Sequence, residues 1–486
     1  MSLSTALSIA QSTLLNTSRQ TTVVSRNVSE GSNPDYSRRT AMLVSVGNGA
    51  QVVEIRRATN DVLFRQNLAS TSAAAGQTRL LDGMNTLSID VYGAEHANSP
   101  ATVIGAFMDA LQIYSASPSS ISVAENALES AKQVVRVLNE GTDAIQAFRT
   151  DMDRQILGAV GELNRLLGDF KLANDEVVSG TKTGKDVNDA LDQRDALLKK
   201  ISEFVPISAI QRADNDLMLV TTSGATLFET QPREVTFTPI AGYSPGMDGN
   251  TIYVDGVPLS AGVGGNTTAS GTLAAMVQLR DDMAGNMQAQ LDEVARGLIT
   301  AFAETDPNGV QPDAAGLFTW SGAPAIPAAG TLIDGLARDI SINPAFDSAQ
   351  GGDPHLIRDG GANGLAYVHN TSAGDSYSDL ILSYAQRLED PTAFDAAAGI
   401  EGTISLATYT TESVSWFEGI RQDASRASES KTALMMHTQE TLSNATGVNI
   451  DEELSLLLDL EHTYQASARL LQAIDEMLAS LLNAVR

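Results

Sequence analysis

Both ends of this chain carry a heptad pattern of apolar residues, and this pattern constrains the fold more than any other feature. The N-terminal seam consists of Leu7, Ala10, Leu14, Thr17, Thr21, Val24 and Val28. The C-terminal seam consists of Leu457, Leu460, Tyr464, Ser467, Leu471, Ile474, Leu478, Leu481 and Val485. Alternating spacings of three and four residues are typical of a coiled-coil seam, so both ends are predicted to form long helices.

One such seam alone more often belongs to an amphipathic helix that packs on its own domain. Two seams at opposite ends favour a different arrangement, in which the chain leaves through one long helix and returns antiparallel through another. The N-terminal seam includes Thr17 and Thr21, and a helix of this kind is hardly stable alone. We predict that the two terminal helices pair as a coiled coil, and that they are largely disordered in the free monomer and order on assembly.

A β-hairpin and a long helical region are predicted to follow the first helix. In TAMLVSVGNGAQVVEIRRA, apolar and polar residues alternate on both sides of Gly47-Asn48-Gly49, which indicates a hairpin loop. Helical periodicity begins near Asn60 and dominates to about Val187, with breaks near Gly93 and Pro118. This part of the chain is predicted to form rod-like helices with charged outer faces.

Short strands are predicted in the middle of the chain, where the apolar period changes to two. The candidate strands contain Leu217 and Leu219, Val235 and Phe237, and Ile252 and Val254. Asp255-Gly256 between IYV and VPL is a strong signal for a two-residue hairpin turn. One helix follows from about Thr272, and helical periodicity returns near Asp375 and continues to the end.

The predicted fold is α+β and elongated, with a helical rod built from both ends of the chain and a β-rich domain inserted in the middle. Three domains are expected. Residues 1–40 and 447–486 form the terminal coiled coil, residues 41–204 and 373–446 form the helical rod with its small hairpin, and residues 205–372 form the β-rich outer domain with one helix.

Composition excludes several classes of function. The chain has 486 residues, 59 of them acidic and 31 basic, which gives a formal net charge of -28. This charge repels phosphate backbones and anionic lipid surfaces, so we expect neither nucleic acid nor membrane as a partner. Cysteine is absent. The N-terminus lacks the basic region and apolar core of a cleavable signal, and no apolar run approaches a membrane span of roughly 20 residues.

No constellation of catalytic or ligand-binding residues is recognisable in the sequence. The five histidines are scattered and match no metal-binding spacing, and the phosphate-loop and nucleophile-elbow patterns are absent. Paired acids such as Asp281-Asp282 and Glu452-Glu453 are interpreted as solvated helix faces. We therefore predict no catalytic residue, cofactor or metal ion, and no enzymatic activity.

The stretch SRNVSEGSNPDYSRRT resembles the NIANxNTPGYSR-like motif of bacterial flagellar axial proteins, which lies between the first helix and a following strand. Asn27-Val28 matches the start of this motif, and Asn33-Pro34, Tyr36-Ser37 and Arg38 match its end. Asp35 stands where the motif prefers glycine. If the turn requires positive φ, aspartate tolerates it less readily than glycine.

Three further segments resemble one family of axial proteins, the flagellar hook-associated protein 1 family. They are GVNIDEELSLLLDLEHTYQASARLLQAIDEMLASLLN near the C-terminus, ALDQRDALLKKISEFV at residues 190–205, and SGTLAAMVQLRDDM at residues 270–283. Rod and hook proteins lack the two internal segments. The resemblance is strongest at both ends and thin between residues 301 and 372.

The resemblance implies a structural protein at the hook-filament junction, needed for filament assembly and exported without a cleaved signal to the extracellular flagellum. Its implied partners are further copies in a helical tube, the hook protein, a second junction protein, the filament, and a cytoplasmic export chaperone that binds the C-terminal helix. The expected assembly interface consists of the two seams and the N-terminal motif: Leu7, Leu14, Val24, Val28, Asn33, Pro34, Tyr36, Leu457, Leu460, Tyr464, Leu471, Ile474, Leu478 and Leu481.

Two alternatives stay open at this point. Within the axial class, the chain could be a hook protein or a flagellin, since both share terminal helices of this kind. From another class, it could be a secreted peptidoglycan hydrolase, which the lack of an acid and nucleophile constellation disfavours.

Overall fold

The computed structural model describes residues 3–46, 49–259, 269–400 and 402–484. Its helices are α1 (Leu3–Ser29), α2 (Asp61–Tyr92), α3 (Pro100–Ala116), α4 (Ile121–Thr183), α5 (Asn188–Phe204), α6 (Thr272–Gln278), α7 (Ala284–Ala301), α8 (Leu336–Asp339), α9 (Leu356–Asp359), α10 (Asp379–Glu389), α11 (Leu406–Thr446) and α12 (Ile450–Ala484). The predicted helices at both ends are therefore confirmed.

The strands are short and form small antiparallel sheets. They are β1 (Arg39–Val46), β2 (Gly49–Arg57), β3 (Ile207–Gln211), β4 (Leu217–Thr221), β5 (Thr226–Phe228), β6 (Val235–Thr236), β7 (Tyr253–Val254), β8 (Val257–Pro258), β9 (Phe318–Thr319), β10 (Ser341–Ile342), β11 (Thr392–Ala393) and β12 (Thr403–Ile404). The sheets are β1-β2, β3-β4-β5, β6-β7-β8, β10-β9 and β11-β12. This is the predicted α+β fold, with long helices around small sheets.

The two predicted hairpins form as expected. β1 and β2 pair antiparallel from Arg39 with Arg57 to Val46 with Gly49, while Gly47 and Asn48 of the predicted loop lie outside the described residues. β7 and β8 are joined by Asp255 and Gly256, whose φ angles are +49° and +79°. Two successive positive φ values define the turn type that matches strand twist, and the Asp-Gly pair tolerates them.

Helix α4 is the longest of the described helices. Its 63 residues extend over about 95 Å at 1.5 Å per residue. The ten predicted core positions are all buried: Leu128, Ala131, Val135, Leu138, Ile145, Met152, Ile156, Val160, Leu163 and Leu167. The helix packs against α2, α3, α5 and α7, so one apolar core continues from the rod into residues 205–372. The predicted division into three domains stays a prediction.

The helix predicted from Thr272 is interrupted by a π-helical turn at Leu279–Met283, between α6 and α7. Its predicted apolar face, which includes Met276, Met287 and Leu298, is buried. In α7 the opposite face is buried as well, because the helix lies between α4 and α11. The turn is the point at which Arg280 enters the core, where its side chain is 1% exposed.

The prediction of unbroken helix from about Asp375 to the end is wrong in two places. α10 ends at Glu389, and residues 390–405 contain the small β11-β12 sheet before α11 begins. Pro391 lies two residues after Glu389 and lacks the backbone N–H that a continuing helix needs. A second break at residues 447–449 separates α11 from α12, and Gly447 has an extended backbone there.

Candidate assembly site at the base of the terminal helices

The terminal helices α1 and α12 pack against each other in antiparallel orientation. The C-terminal end of α1 lies beside the start of α12, where the Asn27 side chain bonds Glu453 at 3.0 Å. Gly31 lies against the side chain of Ile450 at this end, and a Cβ added there would approach it to 3.0 Å. The predicted antiparallel pairing is confirmed within the chain.

The predicted seam residues differ in burial. Val24, Leu460 and Ile474 are buried, and the half-buried seam positions are Leu7, Leu14, Val28, Leu457, Leu471 and Leu478. Tyr464 and Leu481 are 49% and 51% exposed, so they do not fill the seam within the chain. Val485 lies outside the described residues. The role of these residues in assembly stays a prediction.

Asn27 is the centre of the joint between α1, β1 and α12. Its amide nitrogen donates to the carbonyl of Arg39 at 2.9 Å and to Glu453 Oε2 at 3.0 Å. Its amide oxygen accepts from the Tyr36 hydroxyl at 2.8 Å and from the Arg39 backbone N–H at 3.0 Å. With four partners and no exposed surface, the side chain fixes the angle at which the chain turns from helix to strand.

Tyr36 and Glu453 are both buried at this joint. Tyr36 is 8% exposed, and burial raises the pKa of its hydroxyl even though Arg39 lies near. Glu453 is 5% exposed, so its interpretation as part of a solvated helix face is wrong. The Asn27 amide is the polar partner that a buried carboxylate requires.

The remaining residues of the N-terminal motif lie at the surface. Asn33 and Pro34 are exposed, and the Asn33 side-chain oxygen accepts from the backbone N–H of Asp35 at 3.1 Å. Asp35 is not among the residues with positive φ, so the turn does not require glycine there. Its carboxylate instead pairs with Lys199 at 2.8 Å.

An ion network that is buried around Asp192 and exposed at Asp189 ties the hairpin to α5. Asp192 accepts from Arg39 at 3.1 Å through one oxygen and from Arg57 at 3.0 Å through the other. Arg57 also bonds Asp195 at 2.7 Å, and Arg39 bonds Asp189. Because these three acids are spaced three residues apart, they share one face of α5. The two arginines form ion pairs with all three acids.

Burial and hydrogen bonding have opposite effects on the pKa values of Asp195 and Asp189. Burial favours the neutral form of Asp195 and raises its pKa, against the pull of Arg57. Burial also opposes ionisation of Asp189, but the hydrogen bonds from Arg26 and Arg39 outweigh it and lower its pKa. On the other face of α5, burial lowers the pKa of Arg194 to about 10.

Three segments that are far apart in the sequence thus meet at one place. The N-terminal motif, the LDQRD segment of α5 and the start of the C-terminal segment contact one another through Asn27, Arg39, Asp192 and Glu453. The backbone N–H of Arg38 also donates to the carbonyl of Thr446 at 2.7 Å.

Sequence reasoning did not assign Asn27, Arg39, Asp192 or Glu453 to this site. Two signals could have identified them. Asn27 is a polar residue on the apolar side of a helix, and the three acids of α5 repeat at helical spacing.

The remaining segment that resembles the family, SGTLAAMVQLRDDM at residues 270–283, lies farther along the rod. There Arg280 binds Asp153 at 2.7 Å and Asp281 at 2.6 Å. Arg280 also donates to the carbonyl of Asn250 at 3.0 Å, which holds the loop between β6 and β7 against α4.

No group of three or more metal-ligating side chains occurs within the described ranges. Likewise, no helix in those ranges is long and apolar enough to cross a bilayer.

Comparison with known proteins agrees with this architecture. The family profile described as the flagellar hook-associated protein FlgK helical domain matches residues 88–317, and that of the flagellar basal body rod FlgEFG protein C-terminal region matches residues 439–484. The flagellar hook-associated protein 1 of Escherichia coli K12 is 23% identical over 94% of this chain and 96% of the relative. That of Bacillus subtilis 168 is 20% identical over 79% of this chain and 75% of the relative.

A solved structure shares the fold. The flagellar hook junction protein FlgK from Burkholderia pseudomallei superposes with a TM-score of 0.57 at 12% identity, over 78% of this chain and 99% of that one. Paired terminal helices on a helical body, together with both profile matches, define the class of flagellar axial proteins. Within that class, the chain is similar to flagellar hook-associated protein 1, in the helical domain and along most of its length.

Proposed function

We propose that this chain is a structural subunit of the hook-filament junction of the bacterial flagellum, and that the filament cannot attach without it. The observation that carries this proposal is the likeness to the E. coli hook-associated protein 1 over 94% of the chain. The buried joint at Asn27 supports it, because a junction subunit must hold its terminal helices at a defined angle to its body.

The terminal helices would provide the contacts with neighbouring subunits. Of the 35 residues of α12, only Glu453, Leu460, Ser467 and Ile474 are buried in the single chain. The exposed apolar residues of α12 are Ile450, Leu454, Leu456, Leu458, Tyr464, Leu470, Met477, Leu481 and Leu482. So large an apolar surface suits a helix that is covered in an assembly or by a cytoplasmic export chaperone.

The proposed role is mechanical, with no catalytic step. The subunit would contact the hook, a second junction protein and further copies in a tube, after export through the flagellar channel without a cleaved signal. By presenting different surfaces to hook and filament, it would absorb the mismatch between the two structures. A peptidoglycan hydrolase remains the alternative of another class, and incubation of the purified protein with cell-wall sacculi tests it.

Deletion of the gene tests the proposed role in cells. The deletion strain should make hooks without filaments and should release flagellin monomers into the medium, because export continues while attachment fails. Complementation with the full chain should restore filaments. Normal filaments on the deletion strain would contradict the proposal, and a strain that secretes no flagellin and has bare hooks would favour the alternative that the chain is itself a flagellin.

A further inference from the structure

The hairpin β1-β2 has two outer edges, and side chains cover the edge of β2. The Asn16 side-chain oxygen accepts from the backbone N–H of Val52 at 3.0 Å, and its nitrogen donates to the carbonyl of Ala50. Arg19 donates to the carbonyl of Val52 at 3.3 Å. The backbone groups of Val52 and Ala50 therefore point away from β1.

The register of the hairpin shows which backbone groups of β1 also point outward. In an antiparallel pair, residues opposite each other either both bond across the pair or both point outward. Leu43 lies opposite Val52 and Ser45 opposite Ala50, so the backbone groups of Leu43 and Ser45 point to the outer edge of β1.

A third residue of β1, nearer the start of the strand, also points to the outer edge. Ala41 lies opposite Ile55, whose carbonyl accepts from Asn188 at 2.8 Å and so also points outward. Ala41 thus shares the orientation of Leu43 and Ser45.

Among the residues that the structure describes, the outer edge of β1 is covered at one position only. The outward groups of Arg39 bond the side chain of Asn27. Across the described ranges, no other strand pairs with this edge, and no side chain bonds the outward groups of Ala41, Leu43 or Ser45.

The side chains of this edge strand are apolar and exposed. Met42, Leu43 and Val44 are 39%, 45% and 48% exposed. No charged residue and no proline stands between Thr40 and Val46, although native proteins commonly place lysine or proline on a free edge to prevent pairing. A bulge opposite Met42 and Leu43 twists the hairpin but leaves the outward groups of β1 unbonded.

Charge indicates what this edge can bind. Residues 1–57 contain six basic and three acidic residues, a net charge of +3. The remaining residues contain 25 basic and 56 acidic residues, a net charge of -31. Four of the six arginines pair with acids of α5 and α12 in the same chain, so the hairpin is close to neutral. The acidic body of another copy can therefore approach its uncharged edge without like-charge repulsion.

We propose that the outer edge of β1, from Thr40 to Ser45, pairs by strand addition with an extended segment of a second copy of this chain. Backbone hydrogen bonds to Ala41, Leu43 and Ser45 would supply the contact, and the apolar side chains would be covered by it. The inference rests on the proposed junction role, which brings copies of the chain side by side.

Site-specific photo-crosslinking in intact flagella tests the inference. Val44 is replaced by the photoreactive p-benzoylphenylalanine, and the matched control carries it at Val53, which is 57% exposed on the covered strand of the same hairpin. The expected result is a covalent product of two copies from position 44, with little from position 53. Mass spectrometry of the product should place the cross-link on an extended segment of the second copy.

A second pair of variants separates the backbone from the side chain. Leu43→Pro removes one outward N–H and leaves the bonds between β1 and β2 in place, whereas Leu43→Thr keeps that N–H. In each background the cross-linker stays at position 44. Loss of one backbone hydrogen bond should lower the yield of the two-copy product about fivefold in Leu43→Pro relative to Leu43→Thr.

The outcomes distinguish this inference from the proposed function. The inference is overturned if position 44 cross-links only to another flagellar protein, if it gives no more two-copy product than position 53, or if Leu43→Pro and Leu43→Thr give equal yields. Any of these results in a strain whose junction still contains the protein leaves the proposed function intact. Absence of the protein from the junction would instead contradict the proposed function.

Discussion

Asn27 and Glu453 are 426 positions apart in the sequence, and their side chains bond at 3.0 Å inside the joint of the terminal helices. Neither side chain is more than 5% exposed. The contact links the end of the first helix to the start of the last one, and through Arg39 it also fixes the first strand. The geometry of both termini therefore depends on one buried amide.

Replacing Asn27 with alanine should destabilise this joint. The change leaves the Tyr36 hydroxyl, the Arg39 N–H and the Glu453 carboxylate without their buried partner, which should cost about 3 kcal/mol. Urea unfolding followed by circular dichroism measures this loss. Asn33→Ala is the matched control, because Asn33 is an exposed asparagine of the same motif. Equal losses in both variants would contradict the assigned role of Asn27.

Asp192 should be as important for attaching the hairpin to α5 as Asn27 is for the joint of the terminal helices. Asp192→Ala leaves Arg39 and Arg57, which are 3% and 12% exposed, without a shared counterion. Breaking a buried pair from one side should cost about 3 kcal/mol, measured as a lower urea midpoint. Glu162→Ala removes an exposed partner of Arg165 and should leave the midpoint nearly unchanged. A stable Asp192→Ala protein would show that the network does not hold the hairpin.

Much of the fold follows from periodicity, and the joint does not. The seams, the ten core positions of α4 and the Asp255-Gly256 turn are local patterns, so the sequence alone predicts them. The partner of Asn27 lies at the other end of the chain, and no local pattern gives such a pairing. Glu453 was misinterpreted for the same reason, since acids at a helix start are usually solvated.

The break after Glu389 shows a second limit. The apolar pattern on both sides is helical, and Pro391 is the only strong local signal against continuation. The Arg296-Glu293 pair, fully buried in α7, holds the interrupting segment: Arg296 donates to the carbonyl of Ala393 at 2.6 Å and Glu293 accepts from the N–H of Asp395 at 3.0 Å. Such tertiary contacts decide the break.

Asp292 should make stability depend on pH. Burial raises its pKa to about 7, although it accepts hydrogen bonds from Gln288, Gly335 and Ala337. The folded chain therefore holds a proton that the unfolded chain loses near pH 4. The stability associated with this proton is present below that pH and is lost as pH rises toward 7, with an upper bound of about 4 kcal/mol.

The comparison with Asp292→Asn isolates this effect. The free energy of unfolding is measured by urea titration of both proteins at several pH values between 4 and 8. The difference between wild type and variant should shift in favour of the variant as pH rises through this window. A difference that stays constant with pH would contradict the raised pKa of Asp292.

The terminal helices should exchange their amide hydrogens faster than α4 in the free chain. α12 buries only four of its 35 residues, whereas 26 of the 63 residues of α4 are buried, from Ala124 to Gly180. Hydrogen exchange of the purified monomer should show little protection in the parts of α1 and α12 that lie beyond the Asn27–Glu453 joint, and strong protection in α4. The same measurement on isolated flagella should show protection of all three helices. Strong protection of α12 in the monomer would contradict ordering on assembly.

The proposed function places this chain at the junction between hook and filament. Electron microscopy of intact flagella labelled with a gold-conjugated antibody against the chain can locate it. We expect a narrow band of label at the filament end of the hook, with the rest of the filament unlabelled. Label along the whole hook or along the filament would contradict the proposed function and would assign the chain to another axial structure.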